Sequence, residues 1–181
     1  MPLIYIASIR FEPSHLLIPL QARITRVFHL ETKTVPLEAG PSAAFDAARE
    51  QYNSSRLLTE LVAFRPADAF RIIGVTTLDL FIPILTFVFG EAQLHGPAAI
   101  VSTHRLRNEY YGLARNETLL QDRLEKEAIH ELGHTFGLVH CRNDRCVMNT
   151  STYVENIDLK PVDLCYSCLK FLHKNPPKTA S

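Results

Sequence analysis

The chain has 181 residues, 46% of them hydrophobic, enough to bury one substantial core and too few for two, so a single domain over residues 1–181 is expected. Nineteen basic residues balance nineteen acidic ones. With no long Lys/Arg run, the electrostatic footprint of a nucleic-acid binder, or of a protein held on an anionic membrane, is missing.

In chain order, MPLIYIASIRF lacks a basic leader and its short apolar run ends at Arg10, so Leu3–Ile9 reads as a buried strand and not as a secretion signal. A cytoplasmic location is therefore expected. Pro13 and Pro19 punctuate the entry to an amphipathic stretch, Leu20–Phe28, read as a helix. Glu31–Leu37 alternates as a second strand, and Ala43–Phe64 is rich in helix formers until Arg65 and Pro66 stop it. Phe70–Leu80 is a strong strand; Phe87–Leu94 and Ala98–Thr103 are two more, separated by His95, Gly96 and Pro97. The longest apolar stretch, LDLFIPILTFVFG, is broken by Asp79, Pro83 and Thr86 and falls short of the roughly 18–20 residues that span a bilayer. Alternating strands and helices imply an α/β layer with a mostly parallel sheet.

Thr118 with Gln121 three residues on has the form of a capping box, opening a long helix to Phe136 that Gly137 ends by allowing positive φ. Pro161 suits the first turn of a last helix reaching about Leu172, and Lys174–Ser181 reads as a frayed tail. Gly137 divides the chain into subdomains 1–137 and 138–181.

His130 and His134 lie four residues apart on the long helix, about 40° apart in direction, so both imidazoles can reach one ion. Zinc on nitrogen at about 2.0 Å leaves two tetrahedral vertices, one for a third protein ligand and one for water. His140, reached after the chain leaves the helix at Gly137, is the natural third ligand. Glu131 sits beside His130, where a carboxylate can act as general base toward the zinc-bound water without filling a coordination site. The reaction this implies is peptide-bond hydrolysis. The HExxHxxGxxH spacing with a following methionine is the metzincin signature, and Met148 fills the Met-turn position. All four cysteines fall in the last quarter, Cys141, Cys146, Cys165 and Cys168. In a secreted protein they suggest two disulfides; in a reducing compartment they are better explained as zinc ligands.

Taken together, HELGHTFGLVHC, then Cys146, Val147 and Met148, then CYSC resemble the archaemetzincin family. The resemblance implies an α/β metzincin-like zincin with a mostly parallel mixed sheet packed on helices, and two zinc ions per chain. His130, His134 and His140 would hold the catalytic one, with Glu131 as base; Cys141, Cys146, Cys165 and Cys168 would hold the structural one. Peptide or protein substrates and a monomer are expected. The family also resembles other metzincins in laying its substrate along an edge strand, for which Phe87–Leu94 is the counterpart, and Tyr153 is the one nearby candidate for steadying an oxyanion. A zinc-binding interaction module with little turnover is the competing reading, because fold and ligands permit chemistry without proving it.

Overall fold

A computed structural model describes residues 2–37 and 41–175. Three apolar runs, β1 (Leu3–Ile9), β5 (Ala69–Thr76) and β8 (Ala98–Ser102), form the centre of a five-stranded sheet. Outside them lie β2 (Glu31–Pro36) and β7 (Gly90–Ala92), giving the order β2-β1-β5-β8-β7. β2, β1, β5 and β8 are mutually parallel, and only β7, at one edge, runs antiparallel. The mostly parallel mixed sheet expected from the sequence is thus present. A separate small sheet joins β3 (Phe45–Asp46), β4 (Gln51–Asn53) and β6 (Leu80–Phe81).

Period-two alternation assigns each strand's side chains to two cores. Ile4, Ile6, Ile73, Val75, Ala99 and Val101 face α1 (Leu17–Phe28) and α3 (Glu117–Thr135). Ala7, Ile9, Ile72, Ala98 and Ile100 face the other way, onto Leu57, Leu58 and Leu61 of α2 (Ser54–Phe64). Because α3 lies against β7, β8 and α1 and also carries the chain that follows it, it is buried on nearly every side, charged residues included.

Several boundaries differ from the sequence reading. The expected helix Ala43–Phe64 begins only at Ser54; before it come a 3-10 turn at Pro41–Ala44 and the β3–β4 hairpin. Asp46 accepts hydrogen bonds from the Ala48 and Arg49 amides, at 3.0 and 3.1 Å, and so diverts the backbone groups a helix would use. Helix α2 starts instead where Asn53 caps Arg56 N–H at 3.1 Å. The Thr118–Gln121 capping box is not formed, since Asn116 is the N-cap and accepts from Leu119 N–H at 3.0 Å. Strand β5 ends at Thr76, four residues before the expected Leu80, which belongs to the small sheet. Of Phe87–Leu94, only Gly90–Ala92 is ladder, with Val88 bridged to Leu80. Helix α1 starts at Leu17 and takes Pro19 into its first turn. Pro161 lies between α4 (Val154–Leu159) and α5 (Tyr166–Lys174), outside both: a residue before proline disfavours the helical region, and Lys160 is extended. Residues 176–181 of the expected tail lie outside the described residues.

Candidate active site and metal centres

The end of α3 builds the site. Gly137 has φ +91°, its N–H donates to His134 C=O at 2.9 Å, and Leu138 N–H donates to Gly133 C=O at 3.0 Å. These two bonds make a Schellman motif, which stops the helix at Thr135 with Phe136 as its C-cap and turns the chain back under it. A Cβ at Gly137 would come 2.1 Å from the His95 ring, so close packing as well as positive φ requires glycine there. The His95 amide in turn donates to His134 C=O at 3.0 Å, joining the segment after β7 to the helix end.

The turn brings the three predicted histidines together. His130 and His134 Nε2 are 3.2 Å apart, and the His140 ring lies 5.3 and 4.9 Å from theirs, centroid to centroid. Each helical imidazole is oriented from behind: His130 Nδ1 donates to Val147 C=O at 2.8 Å and His134 Nδ1 to Leu138 C=O at 2.7 Å. A carbonyl can only accept, so the proton sits on Nδ1 and the Nε2 lone pairs point inward. Burial holds His130 well below the ordinary histidine range, with the nearby Lys160 cation adding to it and the Val147 carbonyl opposing. Burial lowers His134 too, against the Leu138 carbonyl. Neutral imidazoles are the state a metal needs. Tetrahedral zinc at about 2.0–2.1 Å from nitrogen separates its ligand atoms by about 3.3 Å, close to the observed Nε2 pair, so the donor set fits.

Glu131 lines the same cleft, of about 350 Å³, with His130, His140, Leu85–Gly90 and Thr150–Thr152. Above it passes Gly90 of the edge strand, where a Cβ would approach the Glu131 Cγ to 2.7 Å. Burial, then Glu127 one turn earlier, raises the Glu131 carboxyl well above the usual range, with Lys160 opposing. A dication beside it would act in the opposite direction. Beneath the helix Met148 is fully buried, and a Cβ at Gly133 would come 2.5 Å from its sulfur, so the Met-turn residue sits where the signature places it. Tyr153 is 66% exposed and not among the residues lining the cleft.

The four cysteine sulfurs form a second cluster, all within 4.8 Å of one another and none in a disulfide. Cys141 and Cys165 sulfurs are 3.8 Å apart and those of Cys146 and Cys168 3.7 Å. Zinc at about 2.3 Å from sulfur predicts about 3.8 Å between tetrahedral sulfurs, so this set fits as well. The Cys168 backbone N–H pulls the Cys165 thiol down to about 7, while burial pushes Cys146 and Cys168 up. A cation among the four sulfurs would favour their thiolate forms.

Three features escaped the sequence reading. Lys160 and Glu127 form a buried ion pair at 3.0 Å, and Lys160 also donates to Asn149 C=O at 3.2 Å, beside the Met-turn. Glu91 of β7 accepts from Ser54 Oγ at 2.5 Å and from Ser55 Oγ at 2.8 Å at the start of α2, anchoring the edge strand. Gly90 is the third; its position inside FVFGEAQL was a signal, since glycine in a strand marks a close approach. Glu127 also had one, its i,i+4 spacing from Glu131.

Known proteins share this arrangement of sequence and fold. The profile of Peptidase family M54 matches residues 24–174. The chain is 46% identical to the archaemetzincin of Methanocaldococcus jannaschii over 132 residues, 73% of this chain and 72% of that one. It is 37% identical to that of Halobacterium salinarum over 159 residues, 86% and 91% of the two chains. The crystal structure of the Methanopyrus kandleri archaemetzincin superposes with TM-score 0.85 at 32% identity, covering 96% of this chain and 94% of that one. A zinc-dependent peptidase from Methanocorpusculum labreanum does so with TM-score 0.85 at 33% identity, covering 93% and 99%. With a matched profile over most of its length and relatives this similar, the chain belongs to Peptidase family M54, the archaemetzincins, and is a zinc metallopeptidase of that family.

Proposed function

We propose that this chain hydrolyses peptide bonds in the cleft beside β7, with Glu131 as general base and His130, His134 and His140 holding a catalytic zinc. Cys141, Cys146, Cys165 and Cys168 hold a second, structural zinc in this reading, within a C-terminal subdomain that begins after Gly137. The observation that carries it is the convergence of three imidazoles, two of them tautomerically fixed, at a cleft that His130 and His140 line together with the buried Glu131 carboxylate. Zinc held there supplies Lewis acidity, polarising a carbonyl and making water beside it easier to deprotonate. Glu131 accepts that proton on a carboxylate oxygen and returns it to the departing amine. Gly90 leaves Glu131 room under the strand, and the Glu91 hydrogen bonds to Ser54 and Ser55 keep the strand in place.

The substrate lies antiparallel to the edge of β7. That strand ends the sheet, pairs with β8 on one side only, and meets the cleft at Gly90, with Leu85–Phe89 of the segment before it lining the rest of that wall. Main-chain pairing gives affinity with little sequence choice. Among the described residues no helix is long and apolar enough to cross a membrane, and all four thiols are free, which fits a reducing compartment such as the cytoplasm. The test is turnover on a broad peptide library with and without a zinc chelator. Cleavage abolished by chelator and restored by zinc supports the reading; no cleavage by zinc-loaded protein favours the interaction module instead.

A further inference from the structure

The two ligand groups abut along the chain, the last histidine being followed at once by the first cysteine. Cys141 follows His140 directly, and Cys146 directly precedes Val147 and Met148. From Gly137 to Thr152 the chain contains no helix or strand, so contacts set its path. His130 and His134 are each held by a backbone carbonyl, but among the described residues His140 makes no hydrogen bond and is exposed. Its place is set by its neighbour Cys141, whose N–H donates to Met148 C=O and whose C=O accepts from Asn149 Nδ2, both at 2.9 Å. The carbonyl that orients His130 belongs to Val147, next to Cys146. On the far side of the cluster, Cys165 and Cys168 come from the start of α5, and the Cys165 N–H donates to the Cys146 sulfur at 3.3 Å.

We propose that the four-cysteine cluster is a positioning element for the histidine site: by fixing Cys141 and Cys146 it fixes His140 and the Val147 carbonyl behind His130. Metal in the cysteine cluster therefore raises the affinity of the three histidines for theirs. This rests on reading both clusters as zinc sites. Loss of an outer partner of a metal ligand typically weakens metal binding 10–100-fold, and here one ligand and the partner of another lose their anchors together. Coupling is reciprocal in free energy, so an empty histidine site weakens the cysteine site by the same factor. Four thiolates still retain their ion at concentrations where three imidazoles lose theirs.

The test replaces the two distant ligands, Cys165→Ser with Cys168→Ser, leaving untouched every residue beside a histidine in the chain. Cobalt affinity of the histidine site is measured by chelator competition, with its visible spectrum as a signature and far-UV circular dichroism as the control for folding. The expected result is at least tenfold weaker binding and an altered cobalt spectrum in a chain that keeps its helices. Affinity within about threefold of wild type, with the cysteine site empty, overturns the proposal. If the double variant is unfolded, wild-type zinc protein titrated with an organomercurial carries the test. Release of the cysteine-held zinc is then expected to raise the dissociation constant of the remaining zinc at least tenfold, and an unchanged constant overturns the coupling. His134→Ala separates the two layers: if that variant still holds two zinc ions, the histidine-site reading itself fails.

Discussion

Replacing Lys160 by Met leaves the Glu127 carboxylate buried without its counter-ion. The side chains are 3% and 4% exposed and 3.0 Å apart, so solvent cannot take over the charge, and Asn149 C=O loses its 3.2 Å donor as well. Removing one member of a buried pair costs about 3–5 kcal/mol, far above the median for surface pairs of about 0–1 kcal/mol. In a chain of this size that lowers Tm by about 6–20 °C, read by thermal circular dichroism and checked by urea unfolding. Zinc content is measured alongside, so that metal loss is not mistaken for loss of the pair. Glu127→Gln combined with Lys160→Met removes both charges and is expected to recover at least about 1 kcal/mol relative to Lys160→Met alone. A single variant costing under about 1 kcal/mol, or a double variant no better than Lys160→Met, refutes the claim that this pair is electrostatically closed to solvent.

Gly90→Ala puts a Cβ 2.7 Å from Glu131 Cγ and 2.6 Å from Ile100 C=O, so zinc content should hold while kcat falls about 10²-fold, as misplacing a catalytic group by about 1 Å does. Elemental analysis with steady-state kinetics checks this. Gly137→Ala forces an L residue to φ +91° and its Cβ into the His95 ring; the backbone alone costs about 1–2 kcal/mol, measured by urea unfolding, with weaker histidine-site metal binding. His134→Ala should lose one of two zinc ions and all turnover while the cysteine cluster keeps its metal, read by metal analysis and native mass spectrometry.

What the sequence made legible was local in the chain. His130, Glu131 and His134 are set by helical spacing alone, and Gly137 by the backbone angle that ends a helix. The central strands were readable because parallel strands buried on both faces are nearly continuous apolar runs, as AFRIIGVT and AAIVS are. Two of the misread segments are ones where a short polar side chain redirects the backbone. Asp46 captures two amides inside a run of good helix formers, and Asn116 caps α3 ahead of the Thr118 that the capping pattern favoured. No periodicity registers either choice. Lys160 was out of reach for a different reason: its partner Glu127 lies far back along the chain, and only the fold reveals that the two meet.

The central claim, that Glu131 moves the proton while the histidines hold the metal, is tested most directly by Glu131→Gln assayed for zinc content and peptide hydrolysis on the same sample. The amide keeps the shape under Gly90 but cannot accept a proton as a carboxylate does. Zinc per chain is expected to equal that of wild type, with hydrolysis lower by about 10²–10⁴-fold. A Glu131→Gln protein that holds its zinc and cleaves peptides at the wild-type rate would contradict the account.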